Sequence, residues 1–263
     1  MKTYIIHLER AIKRRSHIAS LISKHNLDCE VIKAFDYVNV KDEEYVDFCD
    51  IKKMQEFPQW LTRGMVCACY THYLTYQKII ADGVDAAFII EDDVILPDNI
   101  GDLLDKIEEN ASDNEVIMLH YMGFEPIYLE QRSAIKLMEG VDLMTAKSLM
   151  GVTSAAGYVI TRAAAITMSQ CVLPVRFGTD SWSEFIREGG VQNVRFIHPM
   201  PVKTAGFKST VAVIGQSALR SGITRIIDDY RIPPFFQFLR AMRHRAIAKH
   251  TKIVIDKSIL KDG

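Results

Sequence analysis

Residues 86–93 read Ala-Ala-Phe-Ile-Ile-Glu-Asp-Asp, an uninterrupted apolar run that ends in three consecutive carboxylates and continues as Val94-Ile95-Leu96. An apolar run of this length is the pattern of a central strand covered on both faces. The acids then stand at the carboxyl end of a buried strand, where open α/β sheets bind their ligands. Adjacent carboxylates repel one another unless a cation relieves them. Hard divalent ions take oxygen ligands and bridge carboxylates to a diphosphate. Residues 91 and 93 share a direction on an extended chain. Asp93 is therefore the first candidate metal ligand, Glu91 faces the same ligand, and Asp92 faces away as a helix-capping or supporting group. The plainer alternative is an acidic turn exposed to water.

The surrounding pattern is consistent with such a strand. Strands are expected at 3–8, 29–34, 115–120, 156–161 and, as the last one, 194–197. Helices are expected at 11–25, 40–54, 64–81, from Pro97 to about 109, and at 162–171. Thr179-Asp180-Ser181 reads as the cap of a helix running to Arg187 and ending at Gly189-Gly190. Residues 121–150 suggest an irregular hairpin. Alternating strands and helices imply one α/β layered domain with a mostly parallel central sheet.

Charge divides the chain. From Arg231 onward there are eight Lys/Arg and two Asp/Glu, a net of +6; with −1 overall, the rest carries −7. A domain at 1–230 with a basic, aromatic segment at 231–263 is the organisation this predicts. In that segment Pro233-Pro234-Phe235-Phe236 and Phe238-Leu239 supply apolar anchors, and Arg240, Arg243, Arg245 and Lys249 supply charge for an anionic membrane surface. A tail folded back on the domain or paired with another subunit is the competing arrangement. The near-zero net charge gives no reason to bind nucleic acid. Five scattered cysteines fit free, mostly buried thiols, and no secretory signal or membrane span is visible. A cytoplasmic protein, soluble or peripheral on a membrane, is expected.

Two further constellations bear on a ligand. His7-Leu8-Glu9-Arg10, with Arg14 in the following helix, brings Arg10 and Arg14 to the top of the sheet, suited to a nucleotide or its phosphates. The alternative is a solvated basic helix start. Arg63 to His72 forms a helix start rich in small residues, which permit close approach of a backbone or ligand. A lone helical histidine such as His72 is more often a hydrogen-bonded structural group.

Taken together these segments resemble glycosyltransferase family 25, a lipooligosaccharide galactosyltransferase family that also includes collagen galactosyltransferases. YIIHLERAIKRR resembles its opening strand with an L-x-R-x-x-x-R element. VIKAFDYVN is similar to the segment around F-x-A-x-D, with Phe35 and Asp36. RGMVCACYTHYLTYQKI resembles the G-x-x-G-C-x-x-S-H helix, and FIIEDDVIL matches the L-E-D-D strand end. SAAGYVITRAAAITM and FGTDSW resemble the later landmarks. The likeness runs from about residue 2 to 205. It departs at 65–69, where the family has a Gly-rich entry, at Thr71, which replaces Ser before His72, and at Gly178-Thr179, where Pro is common before Asp180.

This resemblance implies a GT-A-type, Rossmann-like nucleotide-sugar fold, a UDP-sugar donor, a saccharide or glycolipid acceptor, a divalent metal such as Mn²⁺ (or Mg²⁺), and inversion at the anomeric carbon. Galactose is the commonest sugar implied. It carries Asp36, His72, Glu91, Asp92, Asp93 and Asp180 as site candidates. An inverting transfer needs a carboxylate to take the acceptor proton; Asp180 is the candidate, with Glu184 one helical turn later as the second. Trp182 is placed either against a sugar or in the core. His198, just after the strand at 194–197, is a further candidate metal ligand. The rival readings are a non-catalytic glycan- or nucleotide-binding relative of the same fold, and a metal-dependent phosphatase or nucleotidyltransferase, which the other landmarks do not support.

Overall fold

A computed structural model describes residues 1–207, 227, 232–235, 237–239, 242 and 252–258. In chain order the elements are β1 (Lys2–His7), α1 (Ile12–His25), β2 (Cys29–Lys33), α2 (Ile51–Glu56), α3 (Arg63–Asp82), β3 (Ala86–Glu91), β4 (Val94–Ile95), α4 (Ile100–Asn110), β5 (Glu115–Met118), β6 (Met122–Gly123), β7 (Ile127–Glu130), β8 (Ile135–Met138), β9 (Val141–Thr145), β10 (Val152–Thr153), β11 (Gly157–Thr161), α5 (Arg162–Cys171), α6 (Trp182–Arg187), β12 (Asn193–His198), β13 (Lys203–Thr204) and β14 (Ile253–Asp256).

Eight strands form one sheet in the order β2-β1-β3-β11-β5-β12-β9-β8. Tracing the parallel and antiparallel pairings across it, β2, β1, β3, β5, β12 and β8 run one way and β11 and β9 the other. The sheet is thus mostly parallel by direction. Successive residues of β3 serve opposite faces. Ala87 and Ile89 join the core made with α3 and α5, while Ala86, Phe88 and Ile90 join the core made with α1 and α4. All five are buried, so neither face tolerates a polar residue until Glu91.

Local chemistry sets the helix ends. Thr62 caps α3 by accepting the N–H of Met65, and Gly83 closes it in the left-handed conformation at φ +69°. Thr161 ends β11 and caps α5 through the N–H of Ala164; its hydroxyl also accepts the N–H of Glu115 at 3.0 Å, tying α5 to β5.

Several expectations change. The single helix expected over 40–54 is a 3₁₀ segment at Asp42–Asp47 followed by α2, because Asp50 caps a fresh start by accepting the N–H of Lys53. The irregular 121–150 region holds the β8–β9 hairpin, which extends the main sheet, and short strands β6 and β7. The strand at 193–198 is not the last: β13 pairs with β4, and β14 pairs in parallel with β7. The segment after 231, expected as an appendage, therefore returns one strand to the body, where Lys147 also pairs with Asp256. Phe236, Arg240, Arg243, Arg245 and Lys249 of the expected membrane anchor lie outside the described residues. Among the described residues no helix is long and apolar enough to cross a membrane. All five cysteines are free, and four are buried.

Candidate active site

The acidic triplet emerges where β1 and β3 end together, with Ile6 opposite Glu91. The alternation that buries β3 now separates three carboxylates. Asp92 is buried: His7 Nδ1 donates to its Oδ2 at 2.6 Å and Arg14, reaching from α1, donates to Oδ1. Asp92 is thus a clamped support. The second Arg14 nitrogen lies 3.3 Å from Asp93 Oδ2, whereas Asp93 Oδ1 is buried without a hydrogen-bond partner. His7 Nε2 is likewise buried and unpartnered.

Glu91, the last residue of β3, continues the alternation that turns Ala87 and Ile89 towards α3. Burial first, then the negative charge of Asp93 and Asp92, pushes its carboxyl up to about 8; Asp180 adds to the same effect. Asp93 is also raised, mainly by burial and against the pull of Arg14. Glu91, Asp92 and Asp93 therefore lie close enough to act on one another's charge, with Arg14 opposing them, and Asp180 lies within electrostatic reach of Glu91.

Asp180 does not cap a helix. The helix begins at Trp182, its preceding residue Ser181 makes no side-chain cap bond, and Asp180 Oδ2 instead accepts the N–H of Ser154 at 3.1 Å. Burial raises the Asp180 carboxyl. Ser154 holds four partners at once, its hydroxyl also accepting the N–H of Ala156 at 3.2 Å. Its hydroxyl meets His120 Nδ1 at 2.6 Å, and its carbonyl accepts Trp182 Nε1 at 2.9 Å. It does so at φ +106°, a region costly for a residue with a Cβ. Trp182 is fully buried and edge-on to Tyr158, so of its two expected places it takes the core. Glu184 pairs with Arg187 on the same helix.

The other candidates fall into two groups. Arg10 Nε donates to Asp36 Oδ2 at 2.7 Å and lies over the Tyr37 ring at 5.1 Å, so this pair sits at the ends of β1 and β2, apart from the Arg14 clamp. His72 is buried in α3, bonded to the Tyr158 hydroxyl at 2.7 Å and stacked on its ring; burial holds its imidazole down to about 4. Tyr158 is itself close enough to Glu91 to feel its charge, so His72 reaches the site only through Tyr158. His198 ends β12 beside Asp142, with Nδ1 buried and unpartnered. Among the described residues no three His, Cys, Asp or Glu side chains gather into a metal-holding group, so Asp93, Glu91 and His198 do not form one.

Sequence reasoning did not find His7, His17, His120, Ser154, Tyr158 or Phe207. His17 bonds the carbonyl of Val94 at 2.7 Å, and Phe207 packs on both His17 and Arg14. His7 had a usable signal, since it ends a strand that a parallel neighbour of β3 would carry. Ser154 had none, because its role rests on a backbone conformation.

The family model for glycosyltransferase family 25 (LPS biosynthesis protein) matches residues 1–182, from β1 through the clamp to Asp180. The chain belongs to glycosyltransferase family 25. Among family 25 relatives, it is 27% identical over 169 residues to "Lipooligosaccharide biosynthesis protein lic2B" of Haemophilus influenzae, covering 63% of this chain and 61% of that protein. It is 23% identical over 145 residues to "Probable inactive glycosyltransferase 25 family member 3" of Rattus norvegicus, covering 53% of this chain and 25% of that one. The matches thus span about three fifths and one quarter of these relatives' lengths. A crystal structure of mannose-1-phosphate geranyltransferase from Thermus thermophilus aligns with a TM-score of 0.35 at 8% identity, covering 77% of this chain and 75% of that one.

Proposed function

We propose that this family 25 protein transfers a sugar, galactose by preference, from a UDP-sugar to a saccharide acceptor of lipooligosaccharide or another surface glycan, with inversion. The observation that carries the reading is the acidic corner: Asp93 Oδ1 is buried with no hydrogen-bond partner among the described residues, Glu91 lies close enough to feel the charge of Asp93 and Asp92, and Asp180 is within its electrostatic reach.

These residues fit a hard divalent cation, Mn²⁺ or Mg²⁺. An orphaned buried carboxylate oxygen is the donor such an ion takes, and such ions are commonly held by one or two carboxylates, with water and substrate phosphates completing the set. Asp93 and Glu91 would hold it. When bound, the ion supplies neutralisation of charge on the departing diphosphate. Asp92 keeps Arg14 and His7 in place behind it. Arg10 and Asp36, paired at the ends of β1 and β2, would meet the nucleotide half of the donor. Asp180, kept basic by burial and aimed by the Ser154 N–H, takes the proton of the acceptor hydroxyl as the new bond forms.

A screen of sugar nucleotides with Mn²⁺, reading release of nucleotide diphosphate with and without a saccharide acceptor, tests this. Release from a UDP-hexose that stops in excess chelator is expected. The second reading is a non-catalytic relative, favoured by the "probable inactive" rat protein; nucleotide binding with no release from any donor would select it. Peripheral attachment to the cytoplasmic face of a membrane is part of the proposal. It is supported by the basic segment after 231 and by exposed Phe235 and Phe238. Replacing Arg240, Arg243, Arg245 and Lys249 by Gln should reduce sedimentation with anionic vesicles.

A further inference from the structure

Trp60 and Phe124 are among the most exposed large apolar side chains described, at 62% and 60%, and they touch each other edge to face with ring centroids 6.0 Å apart. Single exposed hydrophobics need no explanation, whereas two exposed aromatic rings in contact offer a ready-made surface for a ligand. The two rings come from chain segments far apart in sequence, so the fold brings them together.

Both are anchored to the acidic corner. Phe124 follows β6, and β6 is laced to β10 through Gly123 opposite Val152 and Met122 opposite Thr153. The N–H of Phe124 donates to the carbonyl of Gly151 at 3.1 Å. Gly123 has to be glycine there: a Cβ would sit 2.6 Å from the carbonyl oxygen of Glu125. From Gly151 to Ser154, which holds Asp180, is three residues, about 10 Å of extended chain. On the other wall, Trp60 lies just ahead of α3, whose first turn brings Met65 to the backbone of Gly178, two residues before Asp180. The aromatic pair therefore stands within reach of a short oligosaccharide whose hydroxyl meets Asp180.

We infer that Trp60 and Phe124 form a stacking platform for a sugar ring of the acceptor, one or more residues removed from the ring that receives the transferred sugar. Rigid aromatic faces supply contact area at low conformational cost, and an indole or phenyl face accepts the apolar face of a pyranose. The neighbouring charges argue for this occupant over an anionic bilayer. Exposed Glu125 adjoins Phe124 in the chain, Lys53 and Glu56 neutralise each other, and Arg63 is engaged by Asp42 and the Tyr45 ring. The inference rests on the glycosyl-transfer reading.

The test uses full-length protein, O-deacylated lipooligosaccharide as the saccharide probe, and Trp60→Ala, Trp60→Phe and Phe124→Ala. Trp182 is fully buried, so a fluorescence change on titrating the probe reports on Trp60 without any turnover. The expected result is a saturable change in the wild type that weakens in Phe124→Ala. In transfer assays the acceptor KM should rise about tenfold in Trp60→Ala, with kcat and donor KM held, and recover in Trp60→Phe. Unchanged acceptor KM in both alanine variants overturns the platform, as does the absence of any probe-dependent fluorescence change. Loss of binding to phosphatidylglycerol vesicles in Trp60→Ala, with acceptor KM intact, overturns it in favour of a membrane contact. If the wild type releases no nucleotide from any donor, the transfer reading fails, and the fluorescence titration still decides the platform.

Discussion

Asp180 Oδ2 and the backbone N–H of Ser154 are 3.1 Å apart, across a sequence separation of 26 residues. The donor is a backbone group, so the bond survives replacement of the carboxylate by an amide that presents its oxygen to the same N–H. Asp180→Asn therefore keeps the architecture and removes only proton acceptance. Transfer should fall by about 10² to 10⁴. Donor affinity and melting temperature should change little. Near-normal transfer in this variant would remove Asp180 from the chemistry and turn attention to another carboxylate near the acceptor.

The two aspartates of the triplet should part company on mutation. Asp92 neutralises buried Arg14 and bonds His7, so Asp92→Ala leaves a buried cation short of its partner and should cost about 3 kcal/mol or more of stability. Asp93 has one oxygen unpartnered, and Asp93→Asn should melt near the wild type while losing Mn²⁺-dependent turnover. Melting curves and chelator-sensitive rates on both variants check the pair. Equal destabilisation by the two substitutions would contradict the division of labour.

Acid should weaken the fold through two buried histidines. Burial holds His72 and His120 down to about 4 each, against an ordinary 6.5. As pH falls below about 6.5 the unfolded chain takes up these protons before the folded one does. The stability that neutral His72 and His120 contribute is therefore whole above about 6.5 and is lost progressively as pH approaches about 4. Denaturation midpoints measured across this window should slope downward. Substituting His72 and His120 together by Asn should flatten the slope, and an unaltered slope would place the acid sensitivity elsewhere.

Removal of residues 251–263 should destabilise the domain by roughly 1–3 kcal/mol. The deletion strips β14 from β7 and takes Asp256 from Lys147, leaving an open strand edge at Ile127–Glu130. Urea unfolding of the full and shortened chains measures it. Identical midpoints would mean that the β7–β14 pairing contributes nothing in solution.

How much of this was legible depends on how local each signal is. The strand before Glu91 was readable because burial on both faces leaves no polar residue between Ala86 and Ile90, and the resemblance placed the fold around it. The end of α3 at Asp82-Gly83 followed as well, although its cap at Thr62 did not. Residues 121–150 followed in part, as an irregular hairpin without its strand limits, since strands of two to five residues carry too little periodicity. Asp180 was ambiguous for a related reason: the Thr-Asp-Ser run has the composition of a helix cap, and only the position of Ser154 reveals that the carboxylate turns inward. The two tryptophans show the same limit. Trp182, beside the candidate base, is core, and Trp60, in an unremarked loop, is exposed.

The strand that runs against its neighbours has one more effect. Because β11 is reversed between β3 and β5, the chain leaves β5 at His120 and enters β11 after Ser154 on the same rim, and those two side chains meet at 2.6 Å. Everything between them, including the ribbon that carries Phe124 and the hairpin that widens the sheet, is one excursion pinned shut at its base beside the acids. The excursion is also tied to the body where β9 pairs with β12 and where Leu129 and Met144 enter the core, so variation in its length belongs to its exposed turns.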